Sequence, residues 1–272
     1  MTTLISRNNP RIKQIRKLLS YRKQRDSSQL FVVEGIRHVG EAITANASME
    51  YICYAPGLLT SDFAQQLIDK QSQSGIPCLA VDNDVFKYFS GKENPQGILA
   101  VIHQPEYKID RFNPQNFTWG VALVAPQDPG NIGTILRTID AVGASGLLLI
   151  DDPDNNQFCA DPFHPSSVRA SMGSNFWHPL VSTTFAEFKD WGKGYGYTIY
   201  GTSAHANLDY RQVEKFSPPL VLLMGSEREG LTATQSAICD LMLKMPMKGH
   251  VTSLNLAVAT GVMLYTILEK CE

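Results

Sequence analysis

The sequence lacks the features that mark secreted, membrane-spanning and zinc-binding proteins. Its five cysteines are scattered and never spaced Cys-x-x-Cys, so neither a disulfide framework nor a zinc site is predicted. No charged segment followed by an apolar run opens the sequence. The longest weakly polar stretch, Ser253–Leu268, is too short and too often interrupted by Ser, Asn and Thr to span a membrane. These absences predict a protein of the reducing cytoplasm.

Common catalytic signatures are missing as well. The apolar run Val121–Val124 is followed neither by Gly-x-Gly-x-x-Gly nor by a Walker loop, so a common dinucleotide or nucleotide fold is not predicted. The sequence also lacks His-Glu-x-x-His, Gly-x-Ser-x-Gly and any set of carboxylates with metal spacing. Hydrolase and metalloenzyme interpretations therefore have no support, and no metal site is predicted.

The 272 residues carry their charge unevenly. The chain has 24 basic and 26 acidic side chains, a formal net charge of −2. The first 25 residues hold eight of the basic side chains and no acid, which leaves the remainder at −10. This asymmetry predicts a polyanionic partner, and a solvated basic helix is the alternative. The eight candidate RNA-binding residues are Arg7, Arg11, Lys13, Arg16, Lys17, Arg22, Lys23 and Arg25.

Length and periodicity predict two α/β domains in tandem. In residues 1–103, a basic helix with an apolar stripe precedes short apolar runs that alternate with helical segments. Residues 104–118 lose this periodicity and contain two prolines, which indicates a linker. Residues 119–272 form a second α/β series, in which several strands are apolar throughout, as buried parallel strands are. Its predicted strands are Val121–Val124, Leu147–Ile150, Tyr197–Tyr200, Leu220–Met224 and Leu241–Lys244.

Three segments of the second domain carry polar residues where predicted strands end. The first, Pro129–Thr138, is a strand-to-helix turn in which Asn131 and Arg137 could present an amide and a guanidinium. The second, Leu222–Leu231, is an apolar strand that runs into a glycine-bounded acidic loop. The third, Met245–Ala259, is a strand end, a loop and a helix start. Open α/β sheets bind ligands beyond the carboxyl ends of their strands, so all three are candidate ligand loops.

Each segment alone also has an ordinary structural interpretation. The first could be a helix start with a surface arginine, and the second a solvent loop with local salt bridges. In the third, Ser253 and Asn255 could be helix caps. The small residues Ala257, Ala259 and Gly261 indicate close helix packing, for which a subunit interface is one interpretation. The order and spacing of the three segments are far more specific than any one of them.

Together, Asn-x-Gly-x-x-x-Arg, Gly-x-Glu-x-x-Gly-Leu and Pro-Met-x-Gly-x-x-x-Ser-Leu-Asn resemble the three motifs of the SpoU–TrmH family of RNA ribose 2′-O-methyltransferases, in the SPOUT superfamily. Val168–Gly173 is also similar to that family, so the resemblance covers residues 120–270. The first domain, with Phe31–Gly35, resembles the small ribosomal-protein-like RNA-binding domain often fused in front of it. Ser226 and Met245 stand where relatives frequently have Asn and Ile.

This resemblance implies an α/β fold in which a C-terminal SPOUT domain, with a parallel sheet and a deep trefoil knot, follows a small ribosomal-protein-like α/β domain. It also implies a homodimer formed through the C-terminal domain, and S-adenosylmethionine as the cofactor. Carried over onto this sequence, the cofactor-binding residues are Gly225, Glu227, Met245, Ser253 and Leu254. The polar active site, carried over in the same way, consists of Asn131, Arg137, Glu227, Ser253 and Asn255.

The implied reaction is methyl transfer from a sulfonium to a ribose hydroxyl, which needs no metal because the leaving group is a neutral thioether. A guanidinium stays protonated at neutral pH, so Arg137 is interpreted as a cation that stabilises the developing alkoxide and holds the adjacent phosphate. No residue is assigned as proton acceptor. The basic segment and the first domain would hold structured RNA through phosphates and shape. The fused first domain favours ribosomal RNA as the substrate, and transfer RNA or a catalytically silent RNA-binding dimer are the alternatives.

Overall fold

The computed structural model describes residues 6–90 and 92–271, which form two compact units. The first unit comprises the described residues up to Pro105 together with Phe163–Phe176. The second comprises Glu106–Pro162 and the described residues from Trp177 onward. Within the described residues no helix is both long and apolar enough to cross a membrane.

Helices and strands alternate along most of the chain. Up to His103 they are α1 (Pro10–Ser20), α2 (Arg22–Ser28), β1 (Leu30–Glu34), α3 (Ile36–Thr44), β2 (Met49–Tyr54), α4 (Asp62–Gln73), β3 (Cys78–Ala80), α5 (Asn83–Ser90) and β4 (Ile98–His103). From Trp119 they are β5 (Trp119–Val124), α6 (Pro129–Val142), β6 (Leu147–Asp151), α7 (Pro165–Ala170), β7 (Leu180–Thr184), α8 (Phe185–Tyr195), β8 (Thr198–Thr202), β9 (Leu208–Asp209), β10 (Leu220–Met224), α9 (Ala233–Ser236), β11 (Leu241–Lys244) and α10 (Leu256–Lys270).

The first unit is built on a four-stranded sheet in the order β1-β4-β2-β3. Strands β1 and β2 pair antiparallel with β4, and β3 pairs parallel with β2. Because side chains alternate along a strand, Phe31 and Val33 belong to one buried cluster while Val32 belongs to another. The predicted apolar stripe of α1 is Ile12, Ile15, Leu18 and Leu19. The first three are fully buried in the cluster with Val32, and Leu19 is partly buried against it.

The segment Phe163–Phe176, which contains α7, packs with the first unit even though the predicted second domain included it. Val168 is buried in the cluster around Phe31. The Phe163 and Phe176 rings lie 4.8 and 6.2 Å from the Phe31 ring, measured between centroids. Helix α7 contacts β1, which is more than a hundred residues away along the chain, and local periodicity carries no information about such a partner.

The second unit contains a seven-stranded sheet in the order β7-β6-β5-β10-β8-β11-β9, and every pair in it is parallel. The predicted parallel α/β architecture is thereby confirmed. Leu220–Met224 has the bounds that its apolar run predicts, because a strand buried on both faces needs an apolar residue at every position. Strands β7 and β9 were not predicted, since β7 is half polar and β9 has only two residues. The trefoil knot stays a prediction.

Part of the predicted linker belongs to the core of the second unit. Phe112 and Phe117 are buried there, in a cluster that also holds Trp191 and Tyr197. The Trp191 indole Nε1 donates to the Phe112 carbonyl at 2.8 Å, and the Tyr197 hydroxyl donates to the Phe117 carbonyl at 2.5 Å. An irregular backbone has no periodicity to signal burial, so only these two anchoring bonds and the aromatic contacts reveal that the segment is packed.

Candidate active site

A cavity of about 720 Å³ lies at the carboxyl edge of the seven-stranded sheet. Its walls come from the segments that follow β8, β10 and β11 and from the first turn of α10. The residues that the resemblance implies for cofactor binding all line this cavity; they are Gly225, Glu227, Met245, Ser253 and Leu254. The structure therefore gathers into one place residues that are up to 29 positions apart in the sequence.

The carboxylate of Glu227 joins two loops beside this cavity. Its Oε2 accepts from the Gln127 backbone N–H at 3.0 Å, and its Oε1 accepts from the Asp128 N–H at 3.4 Å. The same Oε1 accepts from the side-chain amide of Asn131 at 3.0 Å. All three donors lie in the turn between β5 and α6 or in the first turn of α6, so Glu227 ties the acidic loop after β10 to the start of that helix.

Asn131 and Asn255 extend this network to the last helix. The Asn255 side-chain amide donates to Asn131 Oδ1 at 3.0 Å, so the chain of bonds runs from α10 through α6 to Glu227. The other end of Asn255 caps α10 by accepting from the N–H groups of Ala257 and Val258. The two interpretations of Asn255, as helix cap and as site residue, therefore both hold. Asn131 is buried, and its amide is engaged at both ends.

Among the described residues, Arg137 makes no hydrogen bond to any of the other four predicted catalytic residues. It is exposed on α6, six positions after Asn131, which places it about 9 Å further along the helix axis. It does not line the cavity, and among residues 6–90 and 92–271 its guanidinium has no hydrogen-bond or ion-pair partner. No contact between Arg137 and Glu227 is observed among the described residues, and the catalytic role of Arg137 stays a prediction. The physical reason for the missing contact is helical geometry, because a residue six positions on points to a different face.

Gly225 sets the shape of the acidic loop. The chain folds back so tightly after β10 that Ser226 bridges Gly230, whose φ is +67°. A Cβ atom at Gly225 would lie 2.1 Å from the carbonyl carbon of Gly230 and 2.4 Å from the nitrogen of Leu231. No real side-chain carbon approaches backbone this closely, so only glycine fits at this position.

Gly225→Ala is therefore expected to displace the acidic loop and weaken cofactor binding by about 10- to 100-fold, given that overpacking costs about 1–3 kcal/mol. Titration calorimetry with S-adenosylmethionine measures the affinity. Gly249→Ala is the matched control, because that glycine has a negative φ and open space around its Cβ position. Equal affinities of the two variants would contradict the assigned role of Gly225.

One predicted RNA-binding residue of the basic segment, Arg25 in α2, has a structural role. Arg25 is only 1% exposed, and its Nη1 donates to the carbonyl of Leu18. Gln104 donates in turn to the Arg25 carbonyl at 3.2 Å. Arg25 is therefore removed from the set of RNA-binding candidates. Its long side chain joins α2 to the end of α1. A count of charged residues in the sequence cannot tell such a buried arginine from one exposed at the surface.

The other basic residues of this segment divide into two groups. Arg7 and Arg16 stack on the Tyr88 ring at 4.4 and 4.5 Å, and Arg11 stacks on Tyr51 at 4.6 Å. Arg22 pairs with Asp26 at 3.4 Å. In the part of the chain that the structure describes, the exposed amines of Lys13, Lys17 and Lys23 have no hydrogen-bond or ion-pair partner. These three lysines are therefore the most available phosphate ligands.

A second group of basic residues in the first unit was missed by sequence reasoning. His38 Nε2 lies 3.2 Å from the carbonyl of Arg169, and Lys92 pairs with Glu34 at 3.0 Å. Burial lowers the pKa of His38, and the positive charges of Lys92, Arg37 and Arg169 lower it further. These cations are distant in sequence, so no local charge run indicates that they converge.

A buried polar cluster beside the acidic loop was also missed. The Gln235 amide, which is fully buried, donates to Asp152 at 2.6 Å and to Gln157 at 3.0 Å. The Gln157 amide donates to Glu229 of the acidic loop at 2.8 Å. Isolated glutamines carry no recognisable pattern in a sequence. Within the described residues no group of three or more His, Cys, Asp or Glu side chains is placed to hold a metal ion.

The profile of the SpoU rRNA Methylase family matches residues 119–265, and that of an MRM3-like substrate binding domain matches residues 9–100. The chain is 32% identical over 266 residues to a 23S rRNA (guanosine(2553)-2′-O)-methyltransferase of Bacillus subtilis, covering 97% of this chain and 98% of that protein. It is 31% identical over 273 residues to a 23S rRNA (uridine(2479)-2′-O)-methyltransferase of Streptomyces viridochromogenes, covering 98% and 92%.

Solved structures of similar proteins superpose over nearly the whole chain. An AdoMet-bound rRNA methyltransferase from Sinorhizobium meliloti has a TM-score of 0.88 and 32% identity, covering 98% of this chain and 97% of that one. A SpoU methyltransferase from Streptomyces viridochromogenes in complex with AdoMet has a TM-score of 0.83 and 29% identity, covering 96% and 98%.

Proposed function

The chain belongs to the SpoU rRNA methylase family, and we propose on that basis that it transfers a methyl group from S-adenosylmethionine to the ribose 2′-hydroxyl of a nucleotide in ribosomal RNA. The observation that carries this function is the cavity at the carboxyl edge of the parallel sheet, with the Glu227–Asn131–Asn255 network beside it. A ribosomal RNA substrate also supports the predicted cytoplasmic location.

The cavity fits S-adenosylmethionine in size and chemistry. Its volume of about 720 Å³ falls within the range of about 300–1,000 Å³ that is usual for small-molecule sites. Met224, Leu243 and Leu254 offer apolar surface to an adenine ring, while Glu227 offers a carboxylate to a positively charged ligand. We assign cofactor binding to this wall, with Gly225, Met245 and Ser253 also in contact. Bound cofactor supplies a methyl group on a sulfonium.

The residues of this chain fix the loops around the cavity and supply a positive charge to the reaction. Glu227, Asn131 and Asn255 hold the three loops together, so the wall of the cavity is organised before any ligand binds. Arg137 carries a positive charge that has no partner among the described residues and is free to meet RNA. We propose that Arg137 stabilises the ribose oxygen that gains negative charge in the transition state and binds the phosphate next to it.

The function is tested by mapping 2′-O-methyl groups in total RNA from cells with and without the gene. One ribosomal site should disappear in the deletion strain and return with the wild-type gene, but not with the Arg137→Ala variant. Loss of a site in transfer RNA would establish the other substrate, and an unchanged methylation map would indicate a silent RNA-binding protein.

We further propose that the second unit forms a homodimer through α10 and the adjoining α6. The two helices pack together, and α10 with the loop before it leaves an apolar stripe exposed that consists of Leu254, Val258, Val262, Tyr265 and Leu268. Ala257 and Ala259, which were predicted at this interface, are instead buried inside the chain at 7% and 6% exposure. Gly261 faces Thr138 of α6. A second copy seated here brings its own residues next to α6, the helix that carries Arg137.

Tyr265, at 56% exposure, is the most exposed residue of the α10 part of this stripe. Tyr265→Glu is expected to convert the dimer to a monomer at micromolar concentration, because an interface cannot bury an unpaired carboxylate cheaply. Light scattering measures the mass of each variant. Tyr195→Glu, at an exposed tyrosine on α8, should stay dimeric. A monomeric wild-type protein would refute the proposed assembly.

Replacing Lys13, Lys17 and Lys23 with glutamine should weaken RNA binding and flatten its dependence on salt. The log–log slope should fall by about 0.7–0.9 for each phosphate that the protein no longer neutralises. Methyl transfer at saturating RNA should survive, because these lysines lie in the other unit from the cavity. Filter binding over a salt series provides the measurement. The charge-matched control replaces the exposed Lys189, Lys193 and Lys215 of the second unit with glutamine. An equal change in slope in that variant would argue against specific binding by the first three lysines.

A further inference from the structure

The loop after β6 presents a phenylalanine to solvent beside the candidate active site. Phe158 is 52% exposed, although Cys159, which follows it, is buried. Burial of a phenylalanine ring is favourable, but single exposed apolar side chains are common at protein surfaces. What distinguishes Phe158 is how its loop is fastened to the residues beside the cavity.

The backbone around Phe158 is held by three hydrogen bonds. The Phe158 carbonyl accepts from the side-chain amide of Gln127 at 3.0 Å. The N–H of Cys159 donates to the Asp151 carboxylate at 2.7 Å, and the N–H of Ala160 donates to the Pro126 carbonyl at 2.7 Å. The loop is therefore fastened to the turn after β5, and the ring is presented from a fixed backbone.

That turn is the one that Glu227 organises. Gln127 donates its backbone N–H to Glu227 at 3.0 Å while its side chain donates to Phe158, so a single residue connects the exposed ring to the wall of the cavity. Gln127 Nε2 also donates to the Ala125 carbonyl at 2.7 Å, which fixes its side chain. Phe158 is thus positioned by the same hydrogen-bond network as the residues assigned to methyl transfer.

We propose that Phe158 is the platform on which a nucleobase of the RNA stacks while the neighbouring ribose occupies the active site. This inference rests on the proposed function and adds how the substrate is held. A ribose in structured RNA reaches a recessed cavity only if its nucleotide leaves the base stack, and proteins receive such unstacked bases on aromatic rings. Stacking tolerates every base, so the platform holds the nucleotide in place without selecting its identity.

The proposal is tested with Phe158→Ala, Phe158→Leu and Phe158→Trp in the full-length protein. The substrate is an unmodified transcript of 23S ribosomal RNA with tritiated S-adenosylmethionine, and RNA affinity is measured in parallel by filter binding. The alanine and leucine variants should lose roughly 5- to 100-fold in kcat/KM for RNA, the range expected when one base–aromatic stack is removed. The tryptophan variant should retain activity, because it keeps a π face. Affinity for S-adenosylmethionine should not change in any of the three.

Tyr195→Ala is the matched control. Tyr195 is 45% exposed in the same unit, but it precedes β8 and so lies at the amino edge of the sheet, opposite the cavity. Full activity of Phe158→Leu would overturn the stacking role, as would an equal loss in Tyr195→Ala. Conversion of Phe158→Ala to a monomer would show that the ring belongs to a subunit interface instead. An inactive wild-type protein would count against the proposed function, and the filter-binding arm would still decide whether Phe158 contacts RNA.

Discussion

Arg137→Ala is expected to lower turnover by about 100- to 1000-fold, the usual cost of removing one well-placed charge donor from a transition state. Affinity for S-adenosylmethionine should stay nearly unchanged, because Arg137 does not line the cavity. Single-turnover methylation gives the rate, and calorimetry gives the cofactor affinity. Full turnover in the alanine variant would require another residue to stabilise the ribose oxygen.

Arg137→Lys separates charge from geometry. A lysine keeps the positive charge but loses the planar fork that grips an oxygen and a phosphate together. We expect this variant to remain far below the wild type. A rate close to that of the wild type would mean that charge alone supports the reaction, and the interpretation of Arg137 as a geometric clamp would be wrong.

Because Arg137 does not line the cavity of its own chain, an experiment can decide whether it acts on that cavity or on the cavity of the other copy. In a proposed dimer, Arg137 of one copy can serve the cavity of the other. Co-expressing an Arg137→Ala chain with a Gly225→Ala chain then produces heterodimers in which one cavity is intact and faces an intact arginine, and the assay uses a cofactor concentration too low to fill the Gly225→Ala cavity. Recovered activity in the purified heterodimer is expected for action across the interface. If each Arg137 served its own cavity, the heterodimer would be as inactive as either parent.

Glu227→Gln is expected to be nearly as damaging as Glu227→Ala, although glutamine has the same size as glutamate. Both carboxylate oxygens accept hydrogen bonds, Oε2 from Gln127 and Oε1 from Asp128 and Asn131. A glutamine places an NH₂ group at one of these two positions in either orientation, so a donor always faces a donor.

The expected size of this effect follows from the hydrogen bonds that the substitution removes. A hydrogen bond to a charged group contributes about 1.5–3 kcal/mol, so cofactor affinity and turnover should fall by about 10- to 100-fold. Glu229→Gln is the matched control in the same loop, because Glu229 accepts from Gln157 alone among the bonds observed and an amide oxygen can replace that acceptor. Calorimetry and methylation assays on both variants test the difference. Equal effects of the two changes would indicate that loop charge, rather than the acceptor geometry of Glu227, is what the site needs.

Local patterns in the sequence predicted the helices and strands whose buried residues recur at regular spacing. The apolar runs of β10 and β11 have the bounds that their composition indicates, and three of the four residues of the predicted α1 stripe, Ile12, Ile15 and Leu18, are fully buried. The three spaced motifs indicated the family, and Gly225, Glu227 and Ser253 of the second and third motifs do line one cavity at the sheet edge. These features could be predicted because periodicity and motif spacing are properties of neighbouring residues.

Features that depend on distant partners could not be predicted in this way. Glu227 accepts a hydrogen bond from the Gln127 N–H, although the two residues are 100 positions apart in the sequence. No local sequence pattern indicates that their loops meet. The same reason explains why Arg25 is buried at the corner of two helices rather than exposed to RNA, and why Phe163–Phe176 packs with the first unit. Whether a cation is a ligand or a structural contact, and whether a ring is buried or presented, depends on which surfaces the folded chain brings together. For this protein the sequence indicated the family, and the tertiary structure decided which of the polar residues are buried, which are bonded to one another and which are exposed.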